Sequence, residues 1–136
     1  HLNRIATYAY EKKRFVEHSI EIGQSLVGQC ALEKESIILT DVPGDYIKIS
    51  SGLGEALPTN IILQPLILQD QVLGVLELAS FENFKPHELN FLERIAETIA
   101  SVFANRMMAS EKIELLNKNL HNLHHNTQQA SEVGAH

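Results

Sequence analysis

Few side chains in this sequence have the type and spacing for chemistry, and each set supports only part of a mechanism. Cys30 is the one cysteine. A lone thiol admits no disulfide within one chain and no all-cysteine zinc site. Its own chemistry would be nucleophilic or redox, and that needs a thiolate favoured by a helix end or a neighbouring cation. Val27, Ala31 and Leu32 give it apolar neighbours instead, which is the setting of a small buried residue. His121 and His125 stand four residues apart, as two metal ligands on one helix face would. Two imidazoles make at most half of a tetrahedral site. No acid or thiol sits beside them, so a solvated helix face is the simpler reading. His124 is not followed by Glu-Leu-Arg-Thr-Pro, so it is no kinase phosphoacceptor, and no glycine-rich phosphate loop is present. No residue is assigned a catalytic or metal-binding role, and no cofactor is expected.

Composition narrows the partners. The chain has 136 residues and a formal net charge of −6, with 44% hydrophobic and 21% charged residues. That is enough apolar material for a buried core. Eleven Lys and Arg, with one short basic run at Lys12-Lys13-Arg14, argue against nucleic acid, because phosphate contacts need clustered cations. No apolar run approaches the roughly 18 residues of a membrane span. The opening His-Leu-Asn-Arg carries no secretory pattern, so a cytoplasmic location is expected, with no membrane contact within the chain.

The elements that must position these groups follow from pattern. Leu2–Tyr10 alternates weakly and predicts a strand. Ser25 is placed to cap a helix running to Leu32. Gly28 inside that helix costs about 1 kcal/mol of propensity, which predicts a close backbone approach to a sheet. Ser36–Thr40 reads as a short buried strand, stopped by Asp41-Val42-Pro43-Gly44-Asp45. Residues 46–59, with Ser50, Ser51, Gly52, Gly54 and Pro58, read as a broken helix or a loop. Asn60–Gln69 and Gln71–Ser80 are apolar runs that suit a strand pair buried on both faces. Pro65 predicts an edge or bulge in the first run, and Gly74 a bulge or close crossing in the second.

Pro86 starts a long helix at the position where its missing N–H costs nothing, and Glu88 favours the dipole of the first turn. Leu92, Ile95, Ile99, Val102, Arg106, Ala109, Ile113, Leu116, Leu120 and Leu123 then recur at alternating steps of three and four. That is the seam of a coiled coil, with Arg106 its one charged member. Composition also shifts near residue 105: all four prolines and all eight aromatics precede it. A domain over residues 1–105 and a helical extension over 106–136 are expected.

The order of five blocks carries a resemblance. Gly-Gln-Ser-Leu-Val-Gly-Gln-Cys-Ala (23–31), Ile-Ile-Leu-Thr-Asp-Val-Pro (37–43), Leu-Gln-Pro-Leu-Ile-Leu (63–68), Val-Leu-Gly-Val-Leu-Glu-Leu-Ala-Ser (72–80) and Phe-Lys-Pro-His-Glu-Leu-Asn-Phe-Leu-Glu-Arg-Ile-Ala (84–96) stand in the order found in a GAF domain. The set most resembles GAF domains of bacterial sensor histidine kinases and related multidomain receptors. The resemblance implies an α+β fold, an antiparallel sheet flanked by helices and continued by the long C-terminal coiled-coil helix. The helix and first strand that open the family fold have no counterpart here, so the chain is expected to be cut inside the domain.

The resemblance also implies a role. Such domains sense a small molecule between sheet and helices, or act only as dimerising scaffolds. The family pocket is lined by strands and by the segment after the Asp-Val-Pro turn, which here offers Asp45, Tyr46, Ile47, Ile49, Ser50 and Ser51, with Tyr8, Tyr10 and Gln64 from strands. Glu82-Asn83-Phe84-Lys85 and Glu88 do not reproduce the cyclic-nucleotide set, and no downstream cysteine is present for a bilin. Some GAF enzymes reduce methionine sulfoxide, but through more than one cysteine, so a redox enzyme using Cys30 is the alternative rather than the main reading. The expected partners are a second copy, joined along the seam Leu92, Ile95, Ile99, Val102, Ala109, Ile113, Leu116, Leu120 and Leu123, and an output domain of the parent protein.

Overall fold

The computed structural model describes residues 1–3, 5, 19–46, 49–51 and 54–133, the side chains of 49–51, 54 and 130–133 excepted. In chain order the elements are β1 (Leu2–Asn3), β2 (Ser19–Ile20), α1 (Ser25–Glu33), β3 (Ile37–Leu39), β4 (Ile49–Ser51), β5 (Gly54–Ala56), β6 (Asn60–Leu68), β7 (Gln71–Ser80) and α2 (Pro86–Val133). All strand pairs are antiparallel: β1 with β2, β4 with β5, and a three-stranded sheet in the order β3-β6-β7. With α1 and the long C-terminal helix this is the expected α+β architecture. Two compact units divide the chain, His1–Ser101 and Val102–His136.

β6 is the centre of the first unit because its apolar run has no polar face. Ile61 and Leu63 are fully buried on one side with Cys30 of α1, and Leu26, Val27, Ile37, Leu39, Val42, Val75 and Ala79 pack around them. Ile62, which alternation puts on the opposite side, is equally buried. Leu92, Ala96 and Ala100, at i, i+4 and i+8 of α2, are buried too, as is Ala31 of α1. Burying an Ile or Leu fully contributes about 1.5–3 kcal/mol each, so this short strand carries much of the unit's stability.

Local chemistry accounts for the joints. Gln69 and Asp70 both take positive φ, +48° and +65°, which makes the two-residue turn whose twist matches its strands. Opposite Leu63, β3 ends, so Pro65 sits where its missing N–H breaks no described ladder bond. One step on, Leu66 pairs with Gly74 and Ile67 with Val72. Leu73 is the extra residue of a bulge, as Gly74 predicted. At α2, Glu88 accepts a hydrogen bond from the Lys85 N–H at 2.8 Å, half of a capping box around Pro86.

Two expectations are corrected. Residues 46–59 form neither a broken helix nor a plain loop, because Ile49–Ser51 and Gly54–Ala56 pair as a hairpin. In place of a sheet, Gly28 meets the chain just before its own helix: a Cβ there would run into the Glu21 carbonyl oxygen and stand 3.0 Å from the Gly23 nitrogen. The Gly23 N–H also donates to the Gly28 oxygen at 2.8 Å. Of the expected N-terminal strand, Leu2–Asn3 pairs with Ser19–Ile20, while Arg4 and residues 6–10 lie outside the described residues. Ser25 shows two faces of one helix start. It is the first residue of α1, and Gln24 before it is extended and makes no capping bond through its side chain. Yet its φ of +61° is not helical, and its hydroxyl accepts from the Gly28 N–H at 3.5 Å. By dihedral and bonding Ser25 is the cap, and the one-residue difference is ordinary at helix ends.

Candidate functional site

Cys30 is held away from reaction. It lies on the buried face of α1 at 0% exposure, and its S–H points at the carbonyl oxygens of Glu35 (3.3 Å) and Leu63 (3.7 Å). Burial, with the Glu33 carboxylate adding, pushes the thiol up to about 11. At neutral pH the group stays a protonated thiol, without the thiolate that redox or nucleophilic work requires.

The expected pocket residues are only partly described. Tyr8, Tyr10 and Ile47 lie outside the described residues. Ile49, Ser50 and Ser51 form β4, opposite Ala56, Glu55 and Gly54. Asp45 is exposed in the turn after Val42, and the Tyr46 N–H donates to the Pro43 oxygen at 3.0 Å. Gln64 is buried, and its amide oxygen accepts from the Ser36 hydroxyl at 2.7 Å. That bond lies on the side of β6 that carries Asn60 and Ile62, away from Leu63 and Cys30.

Tyr46 belongs with a residue that sequence reasoning passed over. Burial pushes its phenol up to about 12, with the Glu77 carboxylate as the second cause. Glu77 sits directly across from Leu63, so it shares the side of the sheet that holds Cys30, Val75 and Ala79. A half-buried carboxylate and a phenol beside an apolar wall can hold a small polar group. The signal was present: Glu77 is the one charged residue in the run 72–80. Two surface hollows lie elsewhere, one along α2 at Glu114, Asn117, Lys118, His121 and Asn122, the other at Ser80, Phe81, Glu82, Asn83 and Glu88. Neither contains Tyr46, Glu77 or Gln64.

The seam positions fall into two groups. Leu92 is buried within one chain, Ile95 is 37% exposed and Ile99 half-buried. Val102, Ile113, Leu116, Leu120 and Leu123 are all more than half exposed. Ala109 and Arg106 are exposed with them. Among the described residues no group of three or more His, Cys, Asp or Glu could hold a metal ion, and no helix is long and apolar enough to cross a membrane.

A short helix packed on an antiparallel sheet and a long C-terminal helix make this an α+β module. The GAF domain family matches residues 2–104, and the chain belongs to that family. No curated protein matches the chain.

Proposed function

We propose that this GAF domain is the sensory or regulatory module of a bacterial signal-transduction protein, one that works in the cytoplasm. In this reading it pairs with a second copy along α2 and relays a conformational change to an output domain of the histidine-kinase kind. Its role is not enzymatic, and the protonated, buried Cys30 speaks against the redox alternative. An effector would enter against Tyr46 and Glu77 rather than against Gln64.

One observation carries the reading. From Val102 to Leu123 the three-and-four spacing places Val102, Ile113, Leu116, Leu120 and Leu123 on a continuous helix at 53–63% exposure. This segment also holds Asn117, Asn119 and Asn122, all weak helix formers. Such a helix gains its order from packing rather than propensity. A second copy would remove about half of each side chain's surface from water, about 1 kcal/mol for each Ile or Leu. Sedimentation tests it. The wild type should run as a dimer at tens of micromolar, and Leu116→Glu with Leu120→Glu should give a monomer with the first unit still folded. A wild-type monomer, or a dimer indifferent to both changes, defeats the reading.

A further inference from the structure

We propose that His121 and His125 form an open chelate for a divalent late transition metal of the zinc type, which fixes the distal turns of α2. This goes beyond the relay and rests on the helix alone. The structure adds three facts to the spacing. Both residues lie inside the continuous helix Pro86–Val133, where side chains four apart are neighbours with Cβ atoms about 5–6 Å apart. Both are exposed, and neither imidazole makes a hydrogen bond or ion pair among the described residues. Lys118, the cation one turn before His121, is engaged by Glu114 at 2.9 Å, which lowers its repulsion of a metal ion.

The donor set decides the metal class. Two neutral imidazoles suit zinc, copper or nickel and leave magnesium and calcium without oxygen ligands. Zinc–nitrogen bonds of about 2.0–2.1 Å lie within reach of two side chains one turn apart. Water, or a donor from another molecule, fills the remaining positions. Binding requires 121 and 125 to be helical together, so occupancy favours the helical form of this segment by up to its own binding free energy. His124, at i+3 from His121, is a surface neighbour too, and its own substitution separates a 121/125 pair from a 121/124 pair.

Zinc chloride titrated into the full chain, read by calorimetry and by helical circular dichroism, tests this. One zinc per chain and a gain in helical signal are expected. His121→Ala and His125→Ala should each weaken binding about tenfold or more, the double change should abolish it, and His124→Ala and His1→Ala should leave it within about twofold. The Leu116→Glu, Leu120→Glu variant should still bind one zinc per chain, with its affinity changed because binding must now order the helix, so a failed relay and a failed metal site read differently. Zinc bound equally by the double histidine variant, or no saturable binding up to about 1 mM zinc, overturns the site.

Discussion

β6 and the distal part of α2 are both regular and both rich in Ile and Leu, yet they end in opposite environments. Ile61, Ile62 and Leu63 are 0–2% exposed, while Ile113, Leu116, Leu120 and Leu123 are 53–63% exposed. In β6 the apolar residues are consecutive, so alternation sends them to both sides of the sheet and the chain itself covers both. In α2 they recur at steps of three and four, so they form one stripe, and no described part of the chain covers it. The arrangement of apolar groups, more than their number, decides whether a segment is finished by its own chain. The same rule divides α2 itself, since Leu92, Ala96 and Ala100 are buried in the first unit.

The largest expected effect tests the finished side. Leu63→Ala should cost about 2–5 kcal/mol in urea unfolding, because it empties a fully buried site opposite Cys30. The change should not alter association through α2 as long as the first unit remains folded. Leu116→Glu with Leu120→Glu should do the reverse, abolishing association and leaving the first unit's urea midpoint in place. Equal losses of stability from both variants would break the comparison, since the exposed stripe would then belong to the fold.

Alkaline pH should produce the next effect. The Cys30 thiol rises from about 9 to about 11 on folding. Below 9 both states hold the proton and the pair contributes no pH dependence. Between 9 and 11 the unfolded chain loses it while the folded chain keeps it, so stability falls as pH rises. The total loss approaches about 3 kcal/mol. Tyr46 shifts the same way and extends the fall above 10. Cys30→Ala should flatten the profile between pH 9 and 10 at an outright cost of about 0.5–2 kcal/mol. Native Cys30 should also resist alkylation at neutral pH. A profile unchanged by Cys30→Ala would mean that the thiol is not the buried, protonated group described here.

How much of this was legible depended on period and on partners. The strand pair and α2 were readable because each repeats one spacing over nine residues or more. Residues 49–56 were not, because Ser50, Ser51, Gly52 and Gly54 carry turn signals and their strands exist only through pairing with each other. Sequence gives the alternation of β6 but not its absolute side, so the face that Gln64 occupies was not legible. Only the pairing of Leu63 with Glu77 shows that Gln64 faces one way and Glu77 the other. Gly28 was read correctly as a close approach and incorrectly as to what approaches. The loop that folds back on it lies five to seven residues earlier, and no periodicity reports such a contact.

The smallest effect sharpens the comparison inside the first unit, at the one polar tie between α1 and the β6–β7 turn. Lys34 ends α1 in the left-handed region at φ +59°, with its N–H donating to the Cys30 oxygen at 3.0 Å. Its ammonium reaches the Asp70 carbonyl oxygen at 2.7 Å and the carboxylate at 3.0 Å. With the two side chains 41% and 89% exposed, water screens the pair, and such bridges contribute about 0–1 kcal/mol. The left-handed backbone costs a non-glycine residue about 1 kcal/mol. The two effects nearly cancel, and substitutions separate them. Lys34→Ala loses the tie and keeps the strain, so its urea midpoint should fall by the equivalent of about 0.5–1 kcal/mol. Lys34→Gly loses the tie and relieves the strain, so it should match the wild type. Asp70→Asn keeps the carbonyl acceptor and a residue tolerant of positive φ, and should change stability by less than about 0.5 kcal/mol. If Lys34→Gly falls as far as Lys34→Ala, the tie outweighs the backbone, and the apolar core would not be sufficient by itself to seat α1 on the sheet.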